Sequence, residues 1–192
     1  MAEGHGTLHE PPHPLAGALI VALPAGSRIL LAGVGSGRHI PPLLEAGFRV
    51  DALDEASLRA VVEGEPFPGG FDGALSTHAL LHGTPDAIAA ARGAIGERLN
   101  PGAPFHLTLG SSADPRFGAG TRIDDATWSA STGPEAGVPH AYFDEGGARR
   151  LLVDWDVLAL EARSAAETAG RWAHQPDELA TMVHWFARIA RR

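Results

Sequence analysis

Residues 27–55 read SRILLAGVGSGRHIPPLLEAGFRVDALDE, and their order decides the fold. An apolar run, residues 28–32, ends in three glycines at 33, 35 and 37. A short apolar run that stops at glycines reads as a buried strand. Residues 43–46 close a helix that stops at Gly47, and residues 48–53 form a second strand ending at Asp54. Glycine admits positive φ and lets a ligand lie against the backbone. The helix that follows offers free N–H groups to a carboxylate or phosphate. Ligands of open parallel sheets bind beyond the carboxyl ends of the strands. Asp54 stands at such an end, where a carboxylate accepts hydrogen bonds from ribose hydroxyls. Loop and acid together predict a ligand that carries a ribose.

Working outward, the same alternation continues. Residues 58–62 read as a third strand and 71–77 as a fourth. The helix over TPDAIAAARGAIGERLNPG, residues 84–102, takes Thr84 as its N-cap and Pro85 as its first position, and the Asn100-Pro101-Gly102 run ends it. Residues 104–111 form a fifth strand, and a Gly-, Asp- and Ser-rich stretch runs from 111 to 140. Asp144 caps a further helix, residues 156–165 form a strand, and 180–190 form a closing strand or short helix. Strands alternating with helices imply a parallel sheet covered on both faces.

Composition removes several function classes. The 192 residues carry 15 Lys and Arg against 23 Asp and Glu, a net charge of −8, so no basic face for nucleic acid is expected. The absence of cysteine removes disulfides, thiolate metal sites and cysteine nucleophiles. The first residues lack the basic start and apolar core of a signal peptide, and no apolar run approaches a membrane span. A soluble cytoplasmic protein is the expectation. His5, His9 and His13 recur every four residues, but Pro11, Pro12 and Pro14 break any helix there, so no metal site is expected from them.

The loop also separates nucleotide ligands. A phosphate-binding Walker loop needs Gly-Lys-Ser/Thr, whereas this chain has Gly37-Arg38-His39. The dinucleotide fingerprint is G-x-G-x-x-G, and the spacing here is G-x-G-x-G.

With those residues in view, RILLAGVGSGRH (28–39) resembles the first motif of class I S-adenosylmethionine-dependent methyltransferases, and VDALD (50–54) their second. FDGALSTHALLHG (71–83) is similar to their fourth-strand motif and LNPGAPFHLTLGS (99–111) to the segment after it. The tail, with GVPHAYFDEGGARRLL, WDVLALEARS and HWFARIARR, is similar to a subset that includes tellurite-resistance-like small-molecule methyltransferases. The resemblance implies a Rossmann-like, doubly wound α/β fold. Its sheet is mostly parallel and seven-stranded with an antiparallel last strand, shortened here between strands 2 and 4. It implies one domain over residues 1–192. Residues 1–26 form an N-terminal arm and short helix, 27–110 the cofactor core, 111–140 an acceptor lid and 141–192 the completion of the sheet.

It further implies S-adenosylmethionine as cofactor, S-adenosylhomocysteine as product, and direct methyl transfer to a small molecule. A homodimer is left open; nucleic acid and membrane are not expected as partners. The cofactor-binding residues so implied are Gly33, Val34, Gly35, Ser36, Gly37, Arg38, Asp54, Glu55, Glu65, Ser76 and Thr77, with Glu63 as the alternative to Glu65 for the adenine. His78 or His82 is the candidate catalytic base, at the end of the fourth predicted strand. Trp128, His140, Tyr142, Trp172 and His174 are candidates to line the acceptor pocket. Three departures from the family pattern stand out, one being the short segment 54–71, where the family supplies the adenine pocket. Leu31 occupies the position where the family carries an acid, and Pro41 and Pro42 move the helix start away from Gly37. They motivate the alternative of a methyltransferase-fold protein that acts as a binding or regulatory partner.

Overall fold

Both faces of the first strand are apolar because both are covered. β1 (Arg28–Ala32) sends Ile29 and Leu31 to one side, where α1 (Pro14–Ala22) and α2 (Ile40–Glu45) supply Leu15, Leu19 and Leu43. Leu30 and Ala32 face the other side, among Leu58, Ile88 and Leu99. This period-two division of one uninterrupted apolar run is what a doubly covered parallel strand requires. The computed structural model describes residues 11–168 and 181–192. His5, His9, Trp172 and His174 lie outside the described residues.

The body of the sheet has the order β2 (Arg49–Leu53), β1, β3 (Gly73–Ser76), β4 (Pro104–Ser111), β9 (Val183–Arg191) and β8 (Trp155–Ser164). β2, β1, β3 and β4 are mutually parallel. β9 runs antiparallel between β4 and β8, so the last segment is a strand and the mostly parallel sheet with an antiparallel last strand is present. The six strands of this body lack a strand between β2 and β3.

Residues 58–62, expected as a strand, belong instead to the helix α3 (Glu55–Val62). The Asp54 side chain accepts the Ser57 N–H at 2.7 Å and starts the helix. Leu58 and Val61, three apart, then bury one helical face. The branched Val61-Val62 pair suggests a strand locally, but the cap and the buried face outweigh it. α4 (Pro85–Arg98) begins as expected, with Thr84 accepting the Ala87 N–H. α2 begins at Ile40, with both prolines in its first turn.

The stretch after β4 is a small antiparallel extension. β5 (Thr121–Arg122), β6 (Thr127–Ser129) and β7 (Pro139–Phe143) pair in sequence, and β7 then pairs parallel with the top of β4 at Gly110 and Ser111. β3 pairs with β4 only as far as Leu107, which leaves that upper edge open to β7. The approach is so close that a Cβ on Gly110 would stand 2.2 Å from the Ala141 carbonyl oxygen. Residues 111–140 are thereby held over the carboxyl end of β3. α5 (Glu145–Leu151), capped by Asp144, leads back to the sheet.

Candidate active site

The glycine loop is tied to the second strand by its own backbone. The N–H groups of Gly33 and Val34 both donate to the Leu53 carbonyl, at 2.8 and 3.1 Å. This fork brings residues 33–37 beside Asp54. Gly33 has φ +83°, and a Cβ there would lie 2.2 Å from the Ala79 Cβ. The loop thus packs against the 3-10 turn at Ala79–Leu81 that follows β3. Asp54 is exposed at the mouth. Hydrogen bonds from the Ser57 and Ala56 backbone at the helix start hold its carboxyl below the usual range, so it is an anion ready to accept hydrogen bonds.

Two clefts lie to either side of the His82–Glu135 pair. One, of about 610 Å³, lies between α3, α4 and the turn after β3; Glu55, Leu58, Val62, Leu80, His82 and Ile88 are among its walls. Glu63 lines this cleft, whereas Glu65 is exposed beyond the helix and does not. The second, of about 270 Å³, lies between residues 115–142 and Thr181 and Met182, with Arg116, Trp128, Glu135, His140 and Tyr142 among its walls. At the glycine loop itself the space is only about 20 Å³, between Gly33, Val34, Gly35, Ser36, Arg38, His39, Thr77 and His78. Thr77 Oγ1 and His39 Nε2 are 2.8 Å apart, and the fully buried Ser76 Oγ makes no hydrogen bond.

His78 and His82, four residues apart, stand in opposite electrostatic settings. His78 adopts φ +75°, a left-handed conformation rare outside glycine, and its N–H donates to Thr108 Oγ1 at 2.8 Å. Its ring contacts His13 and His184 at centroid distances of 5.9 and 5.4 Å. Burial, then the neighbouring His184 and Arg38, push its pKa well below the ordinary histidine value. His13 and His39 share this setting; burial and Arg38 among their neighbours lower them to about 2 and about 3. All three are neutral rings at physiological pH. His13 Nδ1 accepts the Leu15 N–H at 3.1 Å, capping α1, which assigns its proton to Nε2.

His82 is the reverse case. Burial opposes its charge, but hydrogen bonds to Glu135 and Glu55 outweigh burial and raise its pKa to about 9. Its Nδ1 is 2.9 Å from Glu55 and its Nε2 3.5 Å from Glu135. Glu135 also lies 3.2 Å from His140 Nε2 and 3.6 Å from Arg116. Despite burial, the His140 and His82 bonds hold the Glu135 carboxyl far below the usual range. Arg116 is clamped by the fully buried Asp114 at 2.9 and 3.1 Å. Burial raises the Tyr142 phenol to about 12. A continuous polar chain thus runs from Asp114 through Arg116 and Glu135 to His82 and Glu55, linking the walls of the two clefts.

The fold therefore gathers Gly33, Val34, Gly35, Ser36, Arg38, Thr77 and His78 around one space, and Glu55 and His82 around the adjoining cleft. Trp128, His140 and Tyr142 share the second cleft. Sequence reasoning missed Glu135, Arg116, Asp114, His39 and His184. Each is an isolated residue in a loop or strand, and only the docking of β7 and β9 onto β4 brings them together. Leu31, where an acid was looked for, is fully buried among Leu19, Leu43, Leu75 and Phe186.

No family model matches the chain, and no curated protein sequence matches it. Solved structures do. The 1,6-didemethyltoxoflavin-N1-methyltransferase of Burkholderia thailandensis, solved with 1,6-didemethyltoxoflavin and S-adenosylhomocysteine, is similar at TM-score 0.65 and 21% identity, over 93% of this chain and 76% of that one. A SAM-dependent methyltransferase of Methanosarcina mazei is similar at TM-score 0.68 and 14% identity, over 94% and 98%. TehB of Haemophilus influenzae is similar at TM-score 0.60 and 17% identity, over 93% and 62%. At these identities the likeness is one of fold: the chain has the Rossmann-like fold of class I S-adenosylmethionine-dependent methyltransferases. Among the described residues no helix is long and apolar enough to cross a membrane.

Proposed function

We propose that this chain is an S-adenosylmethionine-dependent methyltransferase that acts on a small molecule in the cytoplasm. The observation that carries the reading is the backbone fork from Gly33 and Val34 to Leu53, which fixes the glycine loop beside Asp54, one residue before Glu55 on the wall of the 610 Å³ cleft. Asp54 takes the ribose hydroxyls. Glu55, Leu58, Val62 and Leu80, with Glu63 at the rim, receive the adenine. Ser36, Gly37 and Arg38 hold the amino-acid end, the Arg38 guanidinium meeting its carboxylate, with Gly35, Ser76 and Thr77 beside it. The bound cofactor supplies a methyl group already activated on a sulfonium, so the protein's work is alignment.

The cleft between residues 115–142 and Thr181 and Met182 receives the acceptor, and the 111–140 segment, which forms most of its wall, acts as its lid. Trp128 and Tyr142 give it apolar walls, and Arg116 and His140 give it polar contacts. His82 lines the larger cleft and His78 the space at the glycine loop. His78, the candidate base, is a neutral ring that burial, His184 and Arg38 make a weak one. His82 rests as a cation between carboxylates and orients an electron-rich acceptor.

Titration calorimetry of the full chain with S-adenosylmethionine and, separately, S-adenosylhomocysteine tests this reading. Dissociation constants in the low-micromolar range, on the order of −8 kcal/mol, are expected. A second reading, a binding or regulatory protein on a methyltransferase fold, is favoured by the buried Leu31 and by the 20 Å³ space at the loop, into which a methionine tail fits only if side chains rotate. Silence from both ligands at high protein concentration would select that second reading.

A further inference from the structure

Residues 131–138 bring one carboxylate, Glu135, between two histidines from different elements. Among the described residues, the ligand atoms of His82, Glu135 and His140 lie within 4.8 Å of one another. His82 Nε2 lies 3.5 Å from Glu135 Oε1, and His140 Nε2 lies 3.2 Å from Glu135 Oε2. Bonds of about 2.0–2.2 Å to one ion at a tetrahedral angle place ligand atoms about 3.3–3.5 Å apart, close to these two approaches to the one carboxylate.

The outer contacts of both rings fix which nitrogen faces inward. His140 Nδ1 is 2.9 Å from the Val138 carbonyl, which only accepts, so Nδ1 donates there and Nε2 is the nitrogen left facing Glu135, buried and 3.2 Å from its carboxylate. His82 Nδ1 likewise meets the Glu55 carboxylate at 2.9 Å, which turns Nε2 toward Glu135. A carboxylate behind one ring and a backbone carbonyl behind the other are the outer contacts that orient metal-bound imidazoles.

We propose that His82, His140 and Glu135 form a site for a divalent transition-metal ion, zinc-like in its preference, between the two clefts. The inference rests on the methyltransferase reading for its purpose and on geometry for its existence. His82 lines the cofactor cleft, and Glu135 and His140 line the acceptor cleft. Three protein ligands leave a coordination position for an oxygen or nitrogen donor of the acceptor. A hydroxyl bound there gives up its proton to solvent at a lower pH than in water. The acceptor class is then a small molecule with a metal-binding hydroxyl, carboxylate or ring nitrogen next to the methylated atom.

Chelator-treated full-length protein is titrated with Zn²⁺ by calorimetry and with Co²⁺ by visible absorption, beside Glu135→Gln, His140→Gln and Glu55→Gln. One ion per chain is expected, with the intense Co²⁺ bands of low coordination number. Affinity falls at least about 10-fold in each ligand variant and less in Glu55→Gln, which spares all three ligands. A His5→Gln/His9→Gln variant keeps the site. Three results overturn the proposal: no stoichiometric binding by folded protein at roughly 100 µM metal, binding unchanged in the ligand variants, or binding lost in the His5/His9 variant. Circular dichroism monitors folding; if the ligand variants unfold, a wild-type affinity in Glu55→Gln overturns the proposal. S-Adenosylhomocysteine titrated into the same samples separates the two readings. Nucleoside binding without metal binding removes only the metal site, and metal binding without nucleoside binding removes only the methyltransferase reading.

Discussion

Lowering the pH from about 7.5 to 5.5 should destabilise this protein far more than its carboxylates alone would allow. His13, His39 and His78 are buried neutral rings, the first two with pKa values lowered to about 2 and about 3 and the third well below the ordinary value. The sign follows from linkage. A histidine whose folded pKa is depressed contributes stability that is present above about 6.5, the unfolded value, and lost as the pH falls below it, because only the unfolded chain takes up the proton. Over two units centred on 6.5 each such ring costs about 1.4 kcal/mol, so three cost about 4 kcal/mol. His82, raised to about 9, works the other way. Its stabilisation is complete below about 6.5 and lost as the pH rises through 9, so acidification returns about 1 kcal/mol. The net loss, about 3 kcal/mol, lowers Tm by about 6–12 °C for a chain of this size. Differential scanning fluorimetry at the two pH values, with chelator present, reads the effect. His13→Asn removes one titrating ring while keeping a good N-cap, and should shrink the pH-dependent drop by about a half. A Tm that moves by no more than about 2 °C, or a drop unchanged in His13→Asn, refutes the reasoning, because it would mean the rings are not held neutral by burial.

Three further perturbations test the site and its frame. Asp54→Ala should weaken S-adenosylhomocysteine binding by about 10- to 100-fold in calorimetry, since a charged acceptor of hydrogen bonds is lost, with the α3 start monitored by circular dichroism. Gly33→Ala forces a Cβ to within 2.2 Å of Ala79 at φ +83° and should cost about 1–3 kcal/mol in urea unfolding; adding Ala79→Gly should recover the steric part and leave the backbone part. Leu31→Asp restores the family's acid, but at a fully buried apolar position. It should lower stability by about 3 kcal/mol or more without tightening nucleoside binding, and tighter binding in a stable variant would contradict the apolar setting described.

The sequence by itself determined the order of most elements and the place of the glycine loop after the first strand. These are local matters. Residues 28–32 form a compact apolar run ending in glycines, and residues 104–111 follow the Asn100-Pro101-Gly102 helix stop; both were read with their observed bounds. Caps at Thr84 and Asp144 act within a few residues, so α4 and α5 were legible as well. The segment at 58–62 was misread because its two valines favour a strand locally, whereas the choice was made by Asp54 at the helix start and by the apolar neighbours of Leu58 and Val61.

Tertiary structure decided everything that depends on which distant residues meet. His78 and His82 are equivalent in the sequence, two histidines after a strand. Docking against His13 and His184 makes the first neutral and buried, while Glu55 and Glu135 make the second a cation or a ligand. Glu135 carries no signal of its own in a Gly-rich loop. It gains its partners because β3 stops short of the top of β4, β7 takes the vacated edge, and His140 then stands beside His82. Periodicity and caps act over one or two turns of chain, but ion pairs between residues more than fifty positions apart exist only once the sheet has set their distance.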